Sequence, residues 1–186
     1  MSEHKHAYAD EKTRRQWQIG EDLLPKIGLR AGMVFMDIGC GVGFFTIPAA
    51  EITGSKGKVY AVDADESAID KLKIKAAERR LTNIVARVEK AEETVFCEGC
   101  ADIVFYSMVL HDFSEPERVL QNAKLMIKAT GRLANLDWKV KQSPFGPPLK
   151  IRFSEAKAAS LIEAAGFKVE NVRDVGQYHY IVTAKP

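Results

Sequence analysis

In residues 34–43, Val-Phe-Met-Asp-Ile-Gly-Cys-Gly-Val-Gly, a short apolar run ends in an acid and glycines recur at 39, 41 and 43. The pattern predicts a buried strand over 33–38, a tight turn, and then a helix. Glycine has no Cβ, so the backbone can bend sharply and a bound molecule can approach the main chain closely. The first N–H groups of the following helix lack intrahelical partners and face whatever lies over the turn. Strand, glycine turn and helix in this order predict an α/β fold with a cofactor cradle at the C-terminal end of the strand.

The glycine spacing separates two kinds of cradle. Dinucleotide-binding turns use Gly-x-Gly-x-x-Gly, whose third glycine lets the helix pack close to the strand. Here Gly39 and Gly41 are followed by Phe44, and Gly41 and Gly43 by Thr46, so neither frame completes that pattern. An NAD(P)-binding oxidoreductase is disfavoured on this ground. The stretch Asp37-x-Gly39-Cys40-Gly41-x-Gly43 resembles instead the S-adenosylmethionine-binding motif of class I methyltransferases. The resemblance implies that cofactor, with S-adenosylhomocysteine as product. Its ammonium needs a carboxylate or carbonyls, which Asp37 and the turn at Gly39, Cys40, Gly41 and Gly43 could supply, directly or through water. The cofactor has no pyrophosphate for a helix N-terminus to hold, which fits the different spacing.

The following elements extend the resemblance. Lys58–Asp63 reads as a second strand ending in an acid 20 residues beyond Gly43, placed to accept the ribose hydroxyls, with Ala64 beside it. Asp65 is better placed than Asp63 to cap the next helix. After the third strand, Arg87-Val-Glu-Lys-Ala-Glu-Glu resembles the family stretch ending Gly-Asp-Ala-Glu, whose acid meets the adenine. Lys90 stands in place of that acid and cannot accept a hydrogen bond. Either Glu89, Glu92 or a backbone carbonyl then serves or the adenine contacts are weaker, while Ala91 can still contact the ring. Ser107 closes the fourth strand at the same edge.

Strands are expected at 33–38, 58–63, 84–89, 102–107 and 132–138, and helices near 43–53, 66–79, 115–128 and 154–165. Residues 168–184 split at Gly176-Gln177 into two strands, with Tyr178, Tyr180 and Val182 on one face. This predicts a three-layer, doubly wound α/β fold whose mostly parallel seven-stranded sheet ends in an antiparallel C-terminal hairpin strand. The same order characterises class I methyltransferases, so the resemblance covers nearly all of residues 20–186. Residues 1–31 are expected to lie outside the core as a helical segment, with Leu23, Leu24 and Ile27 on one face. By analogy with the fold it would cover the cofactor mouth, leaving 32–186 as the catalytic core. With 186 residues and a net charge of +2, the chain has the size of one domain and gives no reason to expect nucleic acid or anionic membrane as partner. No apolar stretch is long enough to span a membrane, and the N-terminus has no apolar core of a signal peptide. A soluble cytoplasmic protein is the expectation.

The loops after strands four and five point to reaction type. Ser107-Met-Val-Leu-His111-Asp-Phe contains neither the Asn/Asp-Pro-Pro-aromatic motif of amino-methylating DNA and RNA enzymes nor the Pro-Cys nucleophile of cytosine-C5 enzymes. The paired-glutamate hairpin of arginine methyltransferases is also missing. Leu-His-Asp resembles small-molecule enzymes of the quinone-biosynthesis and arsenite types. His111 is either a general base or a packing histidine beside the cofactor. After strand five, a proline-rich loop at the active-site edge suggests a semi-rigid lid, with Trp138, Phe145 and Arg152 as candidates to line an acceptor pocket. That pocket would be completed by the N-terminal segment or by the second subunit of a homodimer.

Cys97 and Cys100 stand in Cys-Glu-Gly-Cys, but no second pair exists to make a structural zinc site, and no metal is expected. A plain surface turn at the far end of the fourth strand is the expectation. Arsenite enzymes need several thiols near the cofactor, so a quinone-like ring is the favoured acceptor. Transfer needs mainly in-line alignment of acceptor, methyl and sulfur. The alternatives are a non-catalytic cofactor-binding protein or partner subunit and, further off, a protein or RNA methyltransferase.

Overall fold

The computed structural model describes residue 20 and residues 22–186. The expected N-terminal cover therefore falls largely outside the described residues. The elements run α1 (Leu23–Lys26), β1 (Val34–Ile38), α2 (Thr46–Thr53), β2 (Lys58–Asp63), α3 (Glu66–Glu78), β3 (Ile84–Val88), β4 (Ala101–Ser107), α4 (Pro116–Met126), β5 (Ile127–Trp138), α5 (Glu155–Ala164), β6 (Lys168–Val175) and β7 (His179–Lys185). They build one seven-stranded sheet in the order β3-β2-β1-β4-β5-β7-β6. All pairings are parallel except those of β7, which runs antiparallel to both β5 and β6.

Helices cover both faces, as a parallel sheet requires. On one side Leu120 and Ala123 of α4 and Ala158 and Ile162 of α5 pack on Met36, Val104, Tyr106 and Leu133. On the other, α1 and α2 cover Phe35, Phe105 and Ala134, while Ile69 and Leu72 of α3 pack on Ala61. The chain builds outward from β1 to β3 and then crosses back to place β4 on the other side of β1. Strand order reverses between β1 and β4, and a crevice at the C-terminal ends of these strands is where such sheets bind ligands.

Four local outcomes differ from the expectation. Residues 22–31 are not outside the core: Leu23, Leu24, Ile27 and Leu29 are all buried against the β1–β4–β5 face. Helix α2 has only eight residues, too short to cover that face alone. The helix expected to reach 128 ends at Met126, because Ile127 turns to an extended ψ of 140°. Regular pairing of β5 with β4 still begins near Arg132, after an irregular stretch from Ile127 in which Gly131 passes against the Ala101 carbonyl. Cys97 and Cys100 do not form a plain turn; they are joined as a disulfide across Glu98-Gly99, with Gly99 in the left-handed region at φ +55°. Among the described residues no helix is long and apolar enough to cross a membrane.

Candidate cofactor and acceptor site

The glycine turn leaves β1 and is tied to β2, because Gly39 and Cys40 both donate to the Val62 carbonyl at 2.8 and 3.0 Å. Gly39 has φ +75°, and a Cβ there would come within 2.5 Å of Val109 in the loop after β4. Gly43, at φ +83°, lies equally close to Leu72 of α3. Only glycine lets the turn fit between the loop after β4 and helix α3. Cys40 points inward; burial, then the charges of Asp37 and Asp63, push its thiol well above the ordinary range, so it is an inert packing thiol.

Two acids anchor the turn. Asp37 is 1% exposed and accepts a 2.6 Å hydrogen bond from the Thr46 hydroxyl in the first turn of α2. Thr46 has no motif to mark it in sequence; its role follows from α2 starting three residues later than expected. Asp63 accepts from the Gly41 N–H at 2.7 Å through one oxygen and from the Asp65 N–H at 2.9 Å through the other. Burial pushes its carboxyl up, against the hydrogen bonds from Asp65 and Gly41. Asp65 caps α3 as expected, accepting from Ser67 and Ala68. Asp63 is thus also a structural strut, with lone pairs remaining for further donors. Ala64 is exposed beside it.

After β3, Glu89 donates its N–H to the Asp63 carbonyl at 3.1 Å and accepts from the Thr94 hydroxyl at 3.0 Å. Lys90 is exposed, and Ala91 is buried at the start of a one-turn 3-10 helix, Ala91–Glu93. Glu92 is engaged elsewhere: one oxygen accepts the N–H and hydroxyl of Ser114, each at 3.0 Å, and its own backbone N–H together with these bonds holds its carboxyl below the usual range despite partial burial.

β4 ends in Ser107, whose hydroxyl oxygen is buried without a hydrogen-bond partner. Met108 then takes φ +57°, a left-handed conformation a side-chain-bearing residue rarely adopts. Its N–H donates to the Leu136 carbonyl at 2.7 Å, which holds the reversal in place. Such local strain concentrates at functional sites. The reversal sets Val109 on Gly39 and leads into a 3-10 turn, Leu110–Asp112.

In that turn His111 is buried, and its Nδ1 lies 2.7 Å from an Asp137 carboxylate oxygen at the end of β5. Its Nε2 lies 3.5 Å from Asp112. Burial works to lower the proton affinity of the imidazole, but the hydrogen bond and charge of Asp137, and then the charge of Asp112, outweigh it and raise it overall. Nothing in the sequence marks Asp137: the pair is 26 positions apart and obeys no spacing rule.

The three candidate acceptor-pocket residues are together in the structure, in a loop that folds on itself. Arg152 donates through Nε to the Pro147 carbonyl at 2.9 Å, and through one terminal nitrogen to the Lys139 and Lys141 carbonyls at 3.0 and 2.9 Å. Its other terminal nitrogen reaches the Ser143 hydroxyl at 2.8 Å. The guanidinium carbon lies 5.1 Å above the Trp138 ring, which packs on His179 at 4.2 Å and on Phe145 at 6.1 Å. Arg152 therefore staples the loop rather than presenting a free charge.

A mostly parallel sheet with a glycine turn after β1, an acid ending β2 and a switch point between β1 and β4 defines the Rossmann-like class of cofactor-binding proteins. Within it the family is plain: residues 29–177 match the model of the methyltransferase domain, and the chain belongs to that family. A solved S-adenosylmethionine-dependent methyltransferase from Aquifex aeolicus is 31% identical, with a TM-score of 0.88 over 94% of this chain and 93% of that one. The nocamycin O-methyltransferase of Saccharothrix syringae is 30% identical over 62% of this chain and 41% of its own length. The ubiquinone/menaquinone biosynthesis C-methyltransferase UbiE of Vibrio vulnificus is 28% identical over 83% of this chain and 57% of its own. The chain spans about half the length of these curated relatives. An arsenic(III) methyltransferase of Chlamydomonas reinhardtii, at 17% identity and a TM-score of 0.69, shares the fold. Membership of the family makes S-adenosylmethionine the cofactor. The site fits it: the turn keeps its shape only with glycines at 39 and 43, where a Cβ would collide with Val109 and Leu72, Asp63 retains lone pairs, and the buried Ser107 hydroxyl has no protein partner.

Proposed function

We propose that this chain transfers the methyl group of S-adenosylmethionine to a small planar acceptor by in-line displacement. The observation that carries the reading is the meeting of two loops at the switch point between β1 and β4, an acid-held glycine turn on one side and the strained Ser107–Asp112 turn with its buried histidine on the other.

Bound there, the cofactor supplies an activated methyl group on a sulfonium. Asp37 and the carbonyls of residues 39–43 receive its ammonium end, Asp63 accepts from its ribose hydroxyls, and Ala64, Glu89, Lys90 and Ala91 border its adenine. Ser107 offers its unengaged hydroxyl at the point where cofactor and acceptor meet. Trp138, Phe145 and Tyr178 form an aromatic wall beneath the Arg152-stapled loop, with ring centroids 5.5 Å apart between Phe145 and Tyr178. Such a wall suits a flat ring, so a quinone-like acceptor is favoured. Arsenite is disfavoured, since Cys97 and Cys100 are bonded to each other before β4, at the opposite end of the strands, and Cys40 is buried. The part of the N-terminal segment ahead of α1 and a second copy of the chain are the candidates to close the acceptor side.

The test pairs calorimetry with transfer of label. S-adenosylmethionine should bind and NAD should not. Label from methyl-labelled cofactor should enter the small-molecule or lipid pool of a cell extract. Label in protein or RNA would overturn the small-molecule reading. Binding without label in any pool would favour a non-catalytic subunit.

A further inference from the structure

Leu133, Asn135 and Asp137 alternate along β5 and so face the same side of the sheet, towards α4 and α5. Leu133 belongs there; the two buried polar residues are harder to explain. Asp137 is fully buried. One of its oxygens accepts from the His111 ring at 2.7 Å and from the Trp138 N–H at 2.8 Å. The other oxygen is buried without a hydrogen bond, and so are both ends of the Asn135 amide. A carboxylate sealed into such a place is costly unless a positive charge compensates it.

His111 is the ionisable group in contact with it. The other charged or titratable groups nearby are Asp112, Arg152, Glu155 and Tyr180. Arg152 acts on Asp137 through its charge but spends its N–H groups on loop carbonyls, Asp112 is negative, and the Tyr180 hydroxyl donates to the Phe153 carbonyl at 3.1 Å. The buried charge is thus relieved when His111 gains a proton. Asp137 also fixes which nitrogen gains it. With Nδ1–H donated to Asp137, the lone pair of the neutral ring lies on Nε2. That nitrogen lies beside Asp112, whose side chain is 23% exposed and gives the proton a route to water.

A methyl acceptor that is already a thiolate or an acidic carbon makes little use of such a base. A hydroxyl does, because its proton must leave as its oxygen bonds to carbon. We propose that Asp137 positions His111 as the base for transfer to an aromatic or enolic hydroxyl, making this chain an O-methyltransferase. The proposal rests on the small-molecule reading above and names the acceptor class within it. In the step, an acceptor oxygen lone pair forms the new O–C bond. The C–S bond breaks with its electron pair passing to sulfur, and the hydroxyl proton passes to His111 Nε2 and on to water. The products are a methyl ether and S-adenosylhomocysteine.

The experiment frees the labelled small-molecule pool of residual cofactor and treats the purified sulfur-free product with hot hydriodic acid, which releases an O-methyl group as volatile methyl iodide and leaves a C-methyl group behind. Volatile label supports the proposal. Label retained on carbon overturns it while leaving the transferase reading intact, and binding without label in any pool removes both. On the full chain with S-adenosylhomocysteine bound, imidazole nitrogen resonances should show neutral His111 protonated on Nδ1. A ring protonated on Nε2 overturns the positioning role whatever the variants do. Asp137→Asn should lower the labelling rate by about 10²-fold or more, with cofactor affinity within about twofold of wild type. The rising limb of its pH–rate profile should also move to lower pH. A rate loss with an unmoved limb, or one matched by lost cofactor affinity, would reduce Asp137 to a structural residue.

Discussion

Asp63 does two things with one carboxylate, and substitutions can separate them. Its oxygens hold the Gly41 and Asp65 amides, so removing it loosens the glycine turn before any ligand binds. Asp63→Ala should lower stability by about 1–3 kcal/mol, the cost of leaving donors unsatisfied, and abolish the melting-temperature rise that S-adenosylmethionine gives. Asp63→Asn keeps one acceptor oxygen and should retain more of the stability than of the ligand shift. Equal losses in the two variants, measured by thermal shift with and without cofactor, would contradict the double role. Gly39→Ala tests the cradle from the other side: a methyl group 2.5 Å from Val109 at φ +75° should destabilise by about 1–3 kcal/mol. It should also weaken cofactor binding, measured by calorimetry. Asp63 and the glycines were legible because strand, turn and helix lie within one local pattern. Asp137, Thr46 and the Ser114 partner of Glu92 were not, because each acts through a contact that only the fold creates. Arg152 was legible as important but not in kind: a cation among aromatic residues reads equally as ligand contact or as staple, and only its carbonyl partners decide.

At the scale of elements, the strand and helix order followed from hydrophobic pattern, and what shifted were junctions. α4 gives way to β5 at Ile127, and α2 starts after the turn rather than within it. Both junctions depend on a neighbouring strand rather than on local propensity. The loop from Lys139 to Phe153 is the element whose behaviour the sequence could least foretell. Its one short helical piece is Leu149–Ile151, so its shape depends on the Arg152 fork, which binds carbonyls at 139, 141 and 147 and the Ser143 hydroxyl. Arg152→Ala should leave those carbonyls short of partners and cost about 2–4 kcal/mol, with proteolytic cleavage rising within 140–150. Arg152→Lys should not restore protection, because an ammonium cannot span the same set of acceptors. Limited proteolysis followed by mass spectrometry checks both. Protection unchanged in the alanine variant would mean that the aromatic packing of Trp138, Phe145 and Tyr178 holds the loop without the fork.

For the whole molecule, two buried histidines on the β5–β7 side pull stability in opposite directions with pH. His179, packed against Trp138, has its proton affinity lowered to a pKa of about 4, first by burial and then by the charges of Arg152 and Lys139. The unfolded chain takes up that proton near pH 6.5, before the folded one can, so the His179 contribution is present above that pH and is lost as pH falls towards 4. His111 runs the other way. Its folded affinity is raised through Asp137 and Asp112 against burial, so its contribution is complete below about pH 6.5 and fades as pH rises through the folded value. Together they place a stability maximum near neutrality. The acid limb for His179 should amount to about 2–4 kcal/mol between pH 6.5 and 4, a fall of several degrees in melting temperature. Carboxylates titrate mostly below about pH 5, so the interval from 5 to 6.5 reports His179 most cleanly. His179→Phe keeps a ring against Trp138 and should flatten the curve there, while His111→Gln should flatten it above neutrality and leave the acid side alone. If His179→Phe instead melts lower by the same amount at every pH, the histidine acts through packing alone, and the acid sensitivity belongs to other groups.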